Sequence, residues 1–117
     1  MPERVGYIYK ITNIRNNKVY IGQTSTTPEK RFKRHLEVSR CTKTYFYNAI
    51  RKYGKESFKV ETLQECIVSN LNDMEMYYIQ LYDSCNRLKG YNSTTGGYSG
   101  INFGAKKYSE KQTGGIF

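Results

Sequence analysis

Alternating apolar and polar positions near the N-terminus predict two β-strands joined by a turn. The segment Gly6–Thr12 alternates over its whole length, and Lys18–Gly22 does so again a few residues later. Residues 13–17 between them read Asn-Ile-Arg-Asn-Asn, a polar run rich in turn formers. The unit is therefore predicted to be a β-hairpin. The turn sets the register, so whether Tyr9 and Tyr20 are direct cross-strand neighbours stays open.

Three later segments repeat apolar residues at helical spacing. Thr27 is suited to cap the first helix, and Pro28 is suited to its first position. The second helix is predicted at Thr44–Tyr53, where Gly54 provides a stop signal. The third is predicted at Asn70–Tyr82, with an apolar stripe at spacings of three and four residues.

The remaining segments complete the predicted order of elements. A third strand is predicted at Ser57–Leu63, and the stretch Gly90–Gly97, rich in Gly, Ser and Thr, is typical of a loop. The order β-β-α-α-β-α predicts an α/β (α+β) domain in which helices cover a small antiparallel sheet. A chain of 117 residues is long enough for one domain with a modest core.

The distribution of charge favours a polyanionic partner. The net charge is +9, and residues 1–60 hold fourteen Lys and Arg against four Glu. Residues 61–117 hold five Lys and Arg against six acidic residues. A solvated surface without a partner could explain this surplus, but its concentration favours nucleic acid. The candidate DNA-binding side chains on the first two helices are Lys30, Lys33, Arg34, Arg51 and Lys52.

Other compositional features narrow the class of protein. No apolar run approaches the ~20 residues that span a bilayer, and Met1–Arg4 leads into a strand instead of a signal-peptide core. We therefore expect a soluble, cytoplasmic protein with no membrane partner; the oligomeric state stays open. Three widely spaced cysteines and a single histidine argue against a zinc site and a disulfide framework.

Glu75 is the first candidate for a chemical role. Its neighbours Leu71 and Ile79, four residues away on either side, place it on or beside the face that the third helix buries. A carboxylate taken out of water needs a cation, hydrogen-bond donors or a metal ion. A salt bridge to Lys or Arg is the structural explanation. The functional one is a divalent metal, because Mg²⁺ commonly takes one or two carboxylates together with substrate phosphate oxygens.

Other residues could act on a phosphate diester. Arg31 could form two hydrogen bonds to phosphate oxygens, or it could be a surface arginine on a basic helix. His35 could orient a water or protonate the leaving oxygen, although a lone histidine is more often structural. Tyr9 or Tyr20 could activate water as a general base. Lowering a phenol pKa from about 10 to about 8 requires roughly 2.7 kcal/mol, for which Lys18, Arg31 and a bound metal are sources.

The order and spacing of these residues resemble the GIY-YIG nuclease superfamily. Tyr7-Ile8-Tyr9 resembles the first motif, with Tyr7 in place of its leading glycine and Gly6 just before it. Tyr20-Ile21-Gly22 matches the second motif without deviation. The other positions that fit the superfamily pattern are Lys18, Arg31, His35, Glu75 and the Asn92 of Gly90-Tyr91-Asn92.

This resemblance implies a metal-dependent DNA endonuclease of the homing or mobile-element type, built on a three-stranded antiparallel sheet flanked by helices. Tyr9 would be the general base, Arg31 would hold the scissile phosphate, and Glu75 would bind Mg²⁺ or Mn²⁺. The substrate would be double-stranded DNA. The residues that would assist Tyr9 or support the site are Tyr20, Lys18, His35 and Asn92.

The resemblance also implies a domain organisation. Residues 1–95 would form the catalytic domain, and residues 96–117 would be a linker or tail that resembles the start of a truncated DNA-binding module. Two alternatives stay open. One is a non-catalytic nucleic-acid-binding module of the same fold, and the other is a repair or restriction nuclease with the same chemistry.

Overall fold

A three-stranded antiparallel sheet forms the centre of the fold, in the order β2-β1-β3. The computed structural model describes residues 4–94, so the predicted tail at 96–117 lies outside the described residues. The predicted order of strands and helices is confirmed. The strands are β1 (Val5–Asn13), β2 (Val19–Thr24) and β3 (Phe58–Ile67), and the helices are α1 (Pro28–Val38), α2 (Tyr45–Tyr53) and α3 (Leu71–Tyr82).

The β1–β2 hairpin answers the question of register. Tyr9 lies opposite Gly22, and Ile11 lies opposite Tyr20, so the two tyrosines are diagonal and not direct neighbours. In the turn Asn17 has a φ of 65°, a left-handed conformation that asparagine tolerates better than most residues. Lys18 was predicted to begin β2 but precedes it, and the strand continues two residues beyond the predicted end.

The third strand is longer than its alternation predicts. Ser57–Leu63 was expected, whereas β3 extends to Ile67. The pairing of β1 with β3 shifts by one residue between Ile8 and Tyr9, and beyond that irregularity the partners continue in order as far as Val5 with Ile67. A shift of one residue interrupts the regular alternation, which explains why the periodicity appeared to stop early.

Helices cover both faces of the sheet. On one face β1 packs against α2 in a core formed by Tyr9, Ile11, Phe46, Ala49, Ile50, Phe58 and Tyr91. On the other face the sheet packs against α3 in a smaller core formed by Ile8, Ile21, Leu71 and Ile79. As predicted, Thr27 caps α1 by accepting a hydrogen bond from the Lys30 backbone N–H, at 3.2 Å. No helix within residues 4–94 is long and apolar enough to cross a bilayer.

The outer edge of β2 is covered by the segment that follows α3. Val19 donates its backbone N–H to the Lys89 carbonyl at 3.2 Å and accepts from the Tyr91 N–H at 2.9 Å. The Asn92 side chain then accepts from the Ile21 N–H and donates to the Ile21 carbonyl, both at 2.9 Å. The Asn92 side chain thus forms hydrogen bonds with both backbone groups of Ile21, as a residue of a neighbouring strand would.

Candidate active site

A cleft of about 270 Å³ lies at β2, where residues from both sides of the sheet meet. It receives side chains from β1, β2, α1 and α3, which are far apart in sequence. Four of the predicted site residues, one from each of these elements, lie within it. The residues that line it are Tyr9, Tyr20, Gly22, Gln23, Arg31, Asn72 and Glu75.

Gly22 determines where the Tyr9 ring can lie. A Cβ atom at position 22 would be 2.4 Å from the Tyr9 hydroxyl oxygen and 2.5 Å from its Cζ, far inside contact distance. The Tyr9 ring therefore occupies the space that a side chain on the opposite strand would fill. Its hydroxyl then lies 2.8 Å from Nε2 of His35. Glycine in the second motif is thus a requirement of packing, because Gly22 does not have a positive φ.

The variant Gly22→Ala is expected to reduce DNA cleavage by about 10²-fold, because displacing a reacting group by ~1 Å can cost that much. The new methyl group must push the Tyr9 hydroxyl away from its present position. Initial rates on plasmid DNA, corrected for the folded fraction by circular dichroism, measure the effect. Gly54→Ala is the control: Gly54 has a φ of +83°, so alanine is strained there without touching the cleft. Equal losses in both variants would contradict the prediction.

His35 contacts Tyr9 of the cleft through one ring nitrogen and Tyr47 of α2 through the other. It is 1% exposed, and its Nδ1 lies 2.9 Å from the Tyr47 hydroxyl. Burial, with the nearby positive charge of Arg31, lowers the pKa of His35 to about 3. The imidazole is therefore neutral near pH 7, with one nitrogen donating and the other accepting. It can fix the orientation of the Tyr9 hydroxyl, but it is poorly suited to be a proton donor.

The pKa values of the two tyrosines in the cleft, Tyr9 and Tyr20, are both raised. Burial raises the pKa of Tyr9 above its ordinary value, and the neighbouring Tyr20 adds to that effect, whereas Arg31 opposes it. Burial likewise raises the pKa of Tyr20, and the negative charge of Glu75 raises it further. Tyr20 is also stacked on Phe46, with ring centroids 4.2 Å apart. Within the protein alone, Arg31 is the group that favours a Tyr9 phenolate.

Glu75 reaches the cleft from the buried face of α3. It is 9% exposed, and its Oε1 accepts a hydrogen bond of 2.9 Å from Nε2 of Gln23. The same nitrogen of Gln23 donates to Oδ1 of Asn72, also at 2.9 Å. Gln23 follows Gly22 on the opposite face of β2, and so it connects the strand to α3. These bonds hold the carboxylate beside the tyrosines.

The donor set of the cleft fits one hard divalent cation. One carboxylate and one amide oxygen, from Glu75 and Asn72, line a polar space large enough for water ligands. Mg²⁺ favours oxygen ligands and keeps several waters when few protein groups bind it. Within residues 4–94, no group of three or more His, Cys, Asp and Glu side chains could form a multidentate site. Glu75 is therefore the residue that would hold the ion.

Three predicted catalytic residues do not line the cleft: His35, which contacts Tyr9, and Lys18 and Asn92. Lys18 directs its ammonium to the Tyr45 hydroxyl, at 2.6 Å, in a second cleft near the hairpin turn. Asn92 binds the backbone of Ile21, the residue between Tyr20 and Gly22. Its role here is to position the strand that carries the second motif.

The predicted DNA-binding side chains differ in their contacts with other groups of the protein. Lys30 and Lys33 are exposed on α1, and Arg34 is exposed and within 3.4 Å of Glu37. Arg51 donates to the backbone carbonyls of Ser39 and Thr42 and to the Asn48 side chain, so its guanidinium holds the connection between α1 and α2. Lys52 lines the same second cleft as Lys18.

Sequence reasoning missed three residues of the site. Gln23 donates to Glu75 and also to Asn72, and the Tyr47 hydroxyl forms a hydrogen bond with His35. The only available signals were weak: Gln23 follows the second motif directly, and Asn72 precedes Glu75 by three residues on one helix. The contact between α2 and His35 depends on how two helices pack, and no local spacing encodes it.

The fold and the cleft are those of a nuclease catalytic domain. The structure is similar to the catalytic domain of the homing endonuclease I-TevI, with a TM-score of 0.64 and 29% identity, over 76% of this chain and 98% of that one. A glutamate-to-alanine variant of the same intron endonuclease domain gives a TM-score of 0.68 and 28% identity, over 78% of this chain and 95% of that one. Both likenesses cover nearly the whole of the solved domain.

The chain belongs to the GIY-YIG family, whose catalytic domain matches residues 5–94. It is an endonuclease domain of that family. Two proteins of Invertebrate iridescent virus 6 are also similar. Uncharacterized protein 019R is 38% identical over 76% of this chain, and the putative MSV199 domain-containing protein 146R is 34% identical over 74%. The matches cover 33% and 37% of those proteins, so this chain spans about a third of their length.

Proposed function

We propose that this domain cleaves double-stranded DNA by metal-dependent hydrolysis of a phosphodiester, with Tyr9 as the general base. The observation that carries the proposal is the cleft, where a phenol, a guanidinium and a carboxylate from distant segments meet. GIY-YIG nucleases are generally metal-dependent. The strongly basic N-terminal half suits a DNA backbone.

The residues of the cleft have separable roles in this proposal. Arg31 binds the scissile phosphate, because a guanidinium stays charged and can donate two parallel hydrogen bonds to phosphate oxygens. Tyr9 takes the proton of the attacking water, and neutral His35 holds its hydroxyl in place at 2.8 Å. Glu75 holds the divalent cation, which when bound stabilises negative charge on the phosphate and the leaving oxygen.

Tyr9 needs help to act as a base, since burial raises its pKa. Arg31 lowers that pKa, and a divalent cation held by Glu75 would lower it further. Tyr20 lines the same cleft and would assist by contacting the attacking water. Lys18 is directed to Tyr45 in the second cleft, so we assign it no part in the proton transfer.

A homing or mobile-element role is the biological setting that we favour. The protein in the similar solved structures is I-TevI, a homing endonuclease and intron endonuclease. Its likeness to this chain extends over 95–98% of the solved catalytic domain. Repair or restriction would use the same cleft, and the genes that neighbour this one would separate these roles.

Wild-type protein with Mg²⁺ is expected to convert supercoiled plasmid into nicked or linear DNA, and removal of the metal with EDTA is expected to abolish cleavage without abolishing binding. Gel electrophoresis measures cleavage, and fluorescence anisotropy of a labelled duplex measures binding. Mn²⁺ in place of Mg²⁺ is the positive control. Binding without cleavage in either metal would favour the non-catalytic module instead.

A further inference from the structure

A second cleft, of about 210 Å³, lies beside the hairpin turn and is distinct from the Glu75 cleft. It is lined by residues of the hairpin turn and of α2, together with Tyr91. No carboxylate lines it. Its polar and aromatic lining residues include Asn16, Lys18, Tyr45, Asn48, Lys52 and Tyr53.

Aromatic rings hold three cations at or beside this cleft. The Lys18 ammonium is 5.2 Å from the Tyr45 ring centroid, and the Arg87 guanidinium lies 4.4 Å from the same centroid. The Lys52 ammonium is 5.2 Å from the centroid of Tyr53. The hydrogen bond that Lys18 donates to the Tyr45 hydroxyl also raises the pKa of Lys18, so this ammonium is charged near neutral pH.

These three cations have no carboxylate partner within the described part of the chain. The ion pairs there involve other residues: Lys10 and Lys59 with Glu61, Arg34 with Glu37, and Lys89 with Asp83. Like charges gathered without a counter-charge repel one another, and an anion between them relieves that repulsion. The arrangement therefore favours an anionic ligand.

The position of the second cleft indicates which kind of anion would bind there. Lys18 lies one residue before the start of β2 and two residues before Tyr20, so the Cα atoms of the two residues are at most about 7 Å apart. Tyr20 also lines the Glu75 cleft, and it stacks on Phe46 of α2, the helix that contributes most of the lining of the second cleft. A DNA strand carries a negative charge at every nucleotide, so one held at Arg31 has further phosphates to either side.

We propose that the second cleft is a subsite for a non-scissile backbone phosphate of the DNA substrate, bound by Lys18 and Lys52. The subsite presupposes the DNA substrate of the proposed function. Tyr45 positions Lys18 through the 2.6 Å hydrogen bond, and Arg87 adds charge at the rim. The sequence assigned Lys18 to catalysis; its placement here assigns it to holding the substrate.

The test is the salt dependence of duplex binding in EDTA, measured by fluorescence anisotropy with a labelled DNA duplex. Losing one phosphate contact reduces the slope of log affinity against log salt by about 0.9. Lys52→Gln is expected to show this reduction, and Tyr45→Phe, which frees Lys18, is expected to show a smaller one. Lys59→Gln, the same charge change on β3 at the opposite edge of the sheet, is the control.

Two results would overturn the subsite. One is a slope for Lys52→Gln that equals that of the control. The other is a loss of affinity with an unchanged slope, which would indicate contact with a base or sugar. Both are measured without cleavage. A failure of the proposed nuclease chemistry would appear separately, as uncut plasmid with the wild-type protein and Mg²⁺.

Discussion

Replacing Glu75 with glutamine is expected to reduce DNA cleavage by at least about 10²-fold while DNA binding is retained. The loss is of the size found when a group that stabilises transition-state charge is removed. Glutamine keeps the shape of the side chain and can still contact Gln23, but it lacks the charge that holds a divalent cation. Single-turnover cleavage of plasmid and anisotropy of a labelled duplex measure the two properties.

Glu65→Gln is the matched control for this variant, because Glu65 is an exposed carboxylate on β3 that does not line the cleft. Raising the metal concentration should restore part of the rate of Glu75→Gln if the carboxylate acts by binding the ion. Cleavage by Glu75→Gln at the wild-type rate would exclude Glu75 as the metal ligand, whatever its position in the structure.

Tyr9→Phe is expected to lower the cleavage rate by about 10²- to 10⁴-fold, the usual contribution of a general base. In the wild type the rate should rise about tenfold per pH unit between pH 6 and 9, because the phenolate fraction grows while pH stays below the raised pKa of Tyr9. No inflection is expected near pH 6.5, since the pKa of His35 is lowered to about 3. Rates across this pH range, at saturating Mg²⁺, measure both features.

The control for Tyr9→Phe is Tyr77→Phe, which removes a hydroxyl from a half-exposed ring on α3. Phenylalanine at position 9 also leaves Nε2 of His35 without its partner, which costs about 1–3 kcal/mol of stability. Thermal melting must therefore show that the variant is folded at the assay temperature. A flat profile for the wild type, or the same slope in Tyr9→Phe, would assign the base to another group.

The sequence was sufficient for the order of elements because the signals were local. Thr27 and Pro28 mark a helix start by their own chemistry, and Gly54 marks an end through its positive φ. The end of β3 could not be predicted in the same way. It depends on the shift of register opposite Ile8 and Tyr9, which is a property of the paired strands.

The motifs in the sequence were sufficient to predict which residues lie near one another in the site. Tyr9, Tyr20, Arg31 and Glu75 were expected together, and they line one cleft. The direction of a side chain is harder to predict, because it depends on contacts with residues that are distant in the sequence. Lys18 precedes β2 and is held by Tyr45 from α2, which no spacing within the hairpin encodes.

The hydrogen bonds between the Asn92 side chain and the Ile21 backbone affect how this nuclease domain could be directed to a chosen DNA sequence. The chain passes along β2 at residues 89–92, so a recognition module grafted after Thr94 would be tethered two residues beyond the side chain that contacts the strand of the second motif. Tether length would then set how far from the recognised sequence the DNA is cut. A short stiff tether would restrict cuts to a narrow interval, and a long flexible one would spread them.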